Sequence, residues 1–234
     1  MTINEFIEEL SKINIKLSEK QLSELEEYYN LLIATNEEFN LTSITKKEDV
    51  YLKHFYDSLT IIKAYDLTKP LKICDIGTGA GFPGLVLKIV FPNLEVTLLD
   101  ALEKRIKFLN KIIQKLNLNN IKAIHERAEI YSKNNKEQFD IVTSRAVAKT
   151  NILLELGSQL IKVNGYAIFL KANIDDELEA SKHAIKELGF NLENTVKFNL
   201  PKEESTRTIV ILKKISKTKN KYPREFNKIK KSPL

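Results

Sequence analysis

The chain has 234 residues, 43% of them hydrophobic and 29% charged, a formal net charge of +6 and one cysteine. That length lets one large domain, or a domain with a helical appendage, bury its core without disulfides, and Cys74, in an apolar run with no partner, reads as an inert buried thiol. No apolar run reaches the 18 residues of a membrane span, and the opening "MTINEFIEEL" is acidic where a signal peptide is basic, so a cytoplasmic protein is expected.

Helical patterns cover residues 3–14, 18–39 and 48–64. In the second, Leu22, Leu25, Tyr28, Leu32, Ile33 and Phe39 recur at helical spacing, and Ser18 with Gln21 makes a capping box. Nothing before residue 71 reads as strand, so residues 1–65 are expected to form an N-terminal helical extension. Short apolar strands follow at 71–76, 94–99, 121–125, 139–144 and 165–170, with helices between most of them at 83–91, 102–117, 150–162 and 175–188. The third and fourth strands are joined by the polar "ERAEIYSKNNKEQ", which leaves room for at most a short helix. Such alternation predicts an α/β fold: right-handed crossovers, a mostly parallel sheet and helices on both faces. Stretches 192–200 and 206–214 flank "PKEEST" and read as a closing hairpin, which ends a domain over 66–215.

Charge is unevenly spread along these elements. Residues 1–40 hold nine acidic and three basic side chains, whereas residues 216–234 hold seven basic and one acidic. A basic end suggests a polyanion partner. The tail has no apolar period, so it is expected to be mobile when free.

Four of only seven glycines, Gly77, Gly79, Gly81 and Gly84, fall in "GTGAGFPG", directly after the first strand. Pro83 suits the first turn of a helix. Glycines in a strand-to-helix loop let the backbone approach a ligand, and the helix start offers free N–H groups. The alternative is a tight turn with no ligand. Residues 79–84 also match G-x-G-x-x-G, the dinucleotide fingerprint, which alone is a weak signal. Asp75, two residues before the first glycine, would face a pyrophosphate with like charge. The ammonium and sulfonium of S-adenosylmethionine suit it better, and its carboxylate suits the helix start. Asp100 ends the second strand, where an acid can accept hydrogen bonds from both ribose hydroxyls. With Glu103 it could instead cap the following helix.

"DIGTGAGFPG", "LLDALEKRIKFL", "RAE" at 127–129 and "SRAVA" at 144–148 resemble the glucose-inhibited division protein B (RsmG) family, as do "FNLTSI" at 39–44 and "HFYDSL" at 54–59. The likeness runs from about residue 20 to 215. It implies a class I, Rossmann-like methyltransferase fold with seven strands, the last antiparallel. The implied activity is transfer of a methyl group from S-adenosylmethionine to nitrogen 7 of one guanine in 16S ribosomal RNA, near the decoding centre of the small subunit. Carried over by position, Gly77 and Phe82 would line the methionine and adenosine part of the cofactor. Asp100, Ala101 and Leu102 would hold the ribose and adenine side, and Ala128 and Glu129 would approach the adenine. Arg145 would stand where cofactor and target base meet. The tail keeps Tyr–Pro–Arg and Lys–Lys–x–Pro–Leu, but Glu225 and Phe226 stand where the family usually has small residues and glycine.

Nitrogen 7 of guanine carries a lone pair and no proton, so no general base is expected, and Arg145 is the candidate positioning group. No histidine has metal-ligand spacing, and no metal is expected. His54 and Asp57, one turn apart, suggest a structural pair joining the helical lead-in to the sheet. Lys104, Lys107, Lys111 and Lys115 recur on one helix face. With Lys171 and the tail residues Lys221, Arg224, Lys230 and Lys231 they could form a phosphate-binding stripe; a solvated face is the alternative. A monomer acting on 16S rRNA or the small subunit is the expectation. A nicotinamide-dependent oxidoreductase using the same loop, and a non-catalytic RNA-binding module, are the alternatives.

Overall fold

The computed structural model describes residues 1–234 apart from Ala146, Asn173 and Glu204, together with the side chain of Asp175. Ala146 of "SRAVA" and Glu204 of "PKEEST" therefore lie outside the described residues.

The first helices are α1 (Ile3–Lys12) and α2 (Glu19–Glu38), and both start on capping boxes, from Thr2 and from Ser18 with Gln21. The third helical pattern is one run of four pieces: α3 (Lys47–Val50), a π-helical stretch (Tyr51–Tyr56), α4 (Asp57–Leu59) and a 3-10 turn (Thr60–Lys63). Widening the turn at Tyr51–Tyr56 departs from a regular helix, and the stretch carries His54.

Then come β1 (Lys72–Ile76), α5 (Gly84–Val90), β2 (Glu95–Asp100), α6 (Glu103–Lys115) and β3 (Ile121–His125). After these come α7 (Ala128–Asn134), β4 (Phe139–Arg145), α8 (Thr150–Gly157) and β5 (Ile161–Lys171). The chain closes with α9 (Asp175–Ala180), α10 (Lys182–Glu187), β6 (Phe190–Asn199), β7 (Thr206–Lys214) and α11 (Phe226–Lys231). The seven strands lie in the order β3-β2-β1-β4-β5-β7-β6. All pairs from β3 to β5 are parallel; β7 is antiparallel to both β5 and β6. The α/β sheet and its closing hairpin match the alternation in the sequence.

Three segments differ from expectation. The helix placed at 150–162 stops at Gly157, where an added Cβ would lie 2.9 Å from Val142, and Ile161 already pairs with Phe139. The helix placed at 175–188 breaks in two at Ser181. The tail is docked rather than loose: Tyr222 and Ile229 are buried, and Arg224 forks onto the fully buried Glu155 at 2.6 and 2.8 Å. Its apolar residues have no period because each fills a separate site on the body.

One apolar core joins the N-terminal helices to a face of the sheet, with Phe6, Leu25 and Tyr28 alongside Ile73, Leu85 and Leu109. Gln21 Nε2 donates to the carbonyls of Ile89 and Val90, at the end of α5. The other core packs Cys74, Val142, Leu153 and Phe169 with Tyr222 of the tail. Among the described residues, no helix is long and apolar enough to cross a membrane.

Candidate active site

A cleft of about 1170 Å³ opens at the carboxyl ends of the parallel strands. It spans the point where strand order reverses between β1 and β4, the usual ligand position in an open α/β sheet.

The glycine loop forms one wall, and its glycines serve two purposes. Gly77 and Gly79 line the cleft, both with positive φ (+67° and +62°), although a Cβ on Gly77 would lie 2.8 Å from the Val147 side chain. A Cβ on Gly79 would meet nothing nearer than the Gly77 carbonyl at 4.0 Å, so the space before it belongs to the cleft. Gly81 and Gly84 do not line it. A Cβ on Gly81 would lie 2.6 Å from the Tyr28 hydroxyl, and one on Gly84 would lie 2.5 Å from Leu98. These two make room for the protein itself, which corrects the placing of Gly81 against a cofactor. Tyr28 also donates its hydroxyl to the Ala80 carbonyl, so α2 braces the loop from behind.

Asp75 needs the same correction. It is fully buried beneath the loop, where Oδ2 accepts from Gly84 N (2.9 Å) and Thr78 Oγ1 (2.7 Å) and Oδ1 has no partner. Burial pushes its pKa up to about 6. The carboxylate closes the loop on itself and does not line the cleft.

Asp100 does line it. Oδ2 accepts from Gly79 N at 3.0 Å and from Arg105 NH1 at 3.1 Å, and Oδ1 from Leu102 N at 2.9 Å. Those bonds join the β1 loop to the turn before α6 and leave about one of a carboxylate's four acceptor positions open. Glu103 does not cap α6 and pairs instead with Lys107. Ala101, Leu102, Ala128 and Glu129 line the same end. Glu129 is buried, and its Oε1 accepts from Arg127 Nε at 2.7 Å. Leu102 and Val147 expose apolar side chains at the rim.

The opposite wall comes from the N-terminal segment and meets the sheet at Arg145. Arg145 NH1 donates to the Lys53 carbonyl (2.7 Å) and to Asp57 Oδ2 (3.1 Å). Its NH2 donates to His54 Nδ1 (3.0 Å), and its guanidinium lies 5.0 Å from the Phe82 ring centre. Asp57 Oδ1 also accepts from Arg207 Nε at 3.2 Å. With Nδ1 accepting, His54 carries its proton on Nε2 and donates to Thr42 Oγ1 at 2.9 Å. Burial, reinforced by the Arg145 charge, pulls its pKa down to about 3, so the ring is neutral as it stacks on Phe82 at 4.3 Å. His54 and Asp57 thus join the lead-in to the sheet by each meeting Arg145, not by meeting one another. Burial lowers the Arg145 pKa, opposed by Asp57. Arg207, Thr42, Leu41 and Ile44 line this wall without having been singled out in the sequence; "FNLTSI" was the available signal for the last three, and nothing in the sequence marked Arg207.

The proposed RNA contacts divide. Lys104 and Lys107 are exposed on α6, Lys104 5.4 Å from the Phe39 ring centre. Lys230 and Lys231 are exposed on α11, and Lys221 is exposed beside Glu187. Lys171 is instead inside the cleft: its ammonium pairs with Glu177 at 2.7 Å, and its side chain is 7% exposed. Arg224 is committed to Glu155. Neither sits on an open stripe.

An adenosyl cofactor fits this lining. Gly79 leaves a bare cradle, Asp100 has an acceptor position for a ribose hydroxyl, and exposed Leu102 offers apolar cover. Among the described residues no group of three His, Cys, Asp or Glu side chains is arranged to hold a metal ion.

Comparison with known proteins identifies the family. The family model GidB, rRNA small subunit methyltransferase G, matches residues 21–208. A protein of Bacillus cytotoxicus named ribosomal RNA small subunit methyltransferase G is 47% identical over 237 residues, covering 100% of this chain and 99% of its own length. Its Bacillus subtilis counterpart is 48% identical with the same coverage. A solved SAM-dependent methyltransferase of Aquifex aeolicus shares the fold, with a TM-score of 0.53, 15% identity, and coverage of 77% of this chain and 97% of that one. Sequence relatedness along the whole length thus joins the cleft geometry, and the chain belongs to the GidB family of small-subunit ribosomal RNA methyltransferases.

Proposed function

We propose that this chain methylates nitrogen 7 of one guanine in 16S ribosomal RNA near the decoding centre, using S-adenosylmethionine. The observation that carries the reading is one continuous cleft with two unlike ends: the bare Gly79 cradle backed by Asp100, and the Arg145–His54–Asp57 cluster.

When bound, the cofactor supplies an electrophilic methyl carbon on a sulfonium. Gly77, Gly79 and Phe82 would border its methionine and adenosine part, Asp100 would take a ribose hydroxyl, and Ala101, Leu102, Ala128 and Glu129 would flank the adenine. The target guanine enters from the other end, against Arg145 and the Thr42–His54 wall. Nitrogen 7 has its own lone pair for the new bond to the methyl carbon, and the electrons of the broken carbon–sulfur bond would leave with S-adenosylhomocysteine, so no side chain has to remove a proton. His54 suits that chemistry, because both ring nitrogens are already hydrogen-bonded and it is not free to act as a base. Arg145, locked by three partners, positions the base; alignment of this kind is worth up to about 7–11 kcal/mol in the best cases. Residues 1–65 serve as the extension that supplies the target-side wall, residues 66–215 hold the cofactor, and the exposed lysines of 216–234 and of α6 meet RNA phosphate. The target base must be unstacked to reach the cleft.

The test is methyl transfer from radiolabelled S-adenosylmethionine to small subunits and to naked 16S RNA from cells lacking the protein. Label at a single guanine, with the strand scission by borohydride and aniline that marks 7-methylguanine, is the expected result. Label on another atom or another RNA would overturn the reading.

A further inference from the structure

Phe226 is, among the described residues, the one member of the 216–234 segment that lines the cleft. Its neighbours in the tail are anchors: Arg224 forks onto buried Glu155, Ile229 is fully buried, and Asn151 Nδ2 donates to the Leu234 carbonyl at 2.9 Å. Phe226 is different. It is only partly buried and does not belong to the apolar core that holds Tyr222. An aromatic ring held at a cleft mouth and left out of the core has an apolar face available to a ligand. The Arg127 guanidinium lies 5.1 Å from its ring centre, and Arg127 Nε donates to Glu129 Oε1 at 2.7 Å. Ring, guanidinium and carboxylate thus form a chain from the tail to the end of the cleft that Leu102 and Ala128 also line.

We propose that Phe226 completes the adenine end of the cofactor site: its ring covers the nucleoside and holds Arg127 so that Glu129 keeps its place. The tail is then part of the cofactor pocket. This rests on the methyltransferase reading above.

The experiment is calorimetry of the full-length protein with S-adenosylhomocysteine, paired with steady-state methylation. Phe226→Leu keeps an apolar side chain of similar size and removes the ring; Phe226→Tyr keeps the ring. Removing one aromatic interaction of about 0.5–1.5 kcal/mol corresponds to roughly two- to tenfold weaker binding. Phe226→Leu should weaken S-adenosylhomocysteine and raise the KM for S-adenosylmethionine by that factor, leaving kcat and the unliganded melting temperature close to wild type. Phe226→Tyr should restore both values. Equal affinity of wild type and Phe226→Leu would overturn the proposal and leave the methyltransferase reading intact. Weaker binding in step with a lower unliganded melting temperature, unrescued by tyrosine, would also overturn it, as a purely structural role. No binding of S-adenosylhomocysteine to the wild type would remove the underlying reading as well.

Discussion

His54 shows how one side chain can be fixed by its surroundings. Arg145 donates to one ring nitrogen, Thr42 accepts from the other, and Phe82 covers a face. Its folded pKa of about 3 lies below the ordinary 6.5, so on acidification the unfolded chain takes up the proton first. The residue's share of stability is therefore intact above pH 6.5 and is lost as pH falls toward 3. Between pH 7 and pH 5 that loss amounts to about 2 kcal/mol. In urea unfolding, His54→Asn should be less pH-dependent than wild type over this interval by about that amount. Parallel curves for the two proteins would mean that His54 takes up its proton as readily in the folded chain as in the unfolded one. The sequence showed His54 and Asp57 one turn apart. It could not show that Arg145, 91 residues from His54, stands between them, because that contact is set by how the helical run packs over β4.

The glycine loop carries its information at the level of an element. Strand, loop and helix were legible because apolar runs and glycine punctuation are local signals. Which glycines line the cleft was not, since Gly81 is confined by Tyr28 of α2 and Gly84 by Leu98 of β2. The same holds for Asp75, which turns inward only because Thr78 and Gly84 N present donors beneath the loop. Gly84→Ala would place a methyl group 2.5 Å from Leu98 and 2.9 Å from Asp75 Oδ2. It should destabilise the fold by about 1–3 kcal/mol, as overpacking does. Gly79→Ala meets no such wall, so its cost is the smaller strain of φ +62° plus obstruction of the cleft. Stability should fall more for Gly84→Ala, whereas cofactor binding should fall more steeply than stability for Gly79→Ala. Melting curves and calorimetry on both variants separate the two effects; the reverse order would contradict the division of the loop.

For the whole molecule, the chain's two ends are parts of the site and not appendages. The N-terminal helices share a core with the sheet, residues 41–57 build one wall of the cleft, and the tail runs across α8 to the cleft. Helical periodicity made the first legible. The tail's docking was hidden, because it depends on single residues meeting buried partners such as Glu155. Arg224→Ala leaves that buried carboxylate with the backbone N–H of residue 224 but no counter-charge, and should cost about 3 kcal/mol in urea unfolding, with part recovered by adding Glu155→Gln. No effect on stability would mean the tail is not held there. Replacing exposed Lys230 and Lys231 with alanine should leave stability unchanged and reduce the salt slope of RNA binding by nearly one unit for each phosphate no longer neutralised. An unchanged slope would remove α11 from the RNA surface. The most direct measurement of all is a crystal structure with S-adenosylhomocysteine. Its ribose should lie on Asp100 and its backbone should pass over Gly77 and Gly79, with the Arg145 cluster left open to RNA. Density elsewhere on the protein, or none in this cleft at saturating ligand, would contradict the site described above.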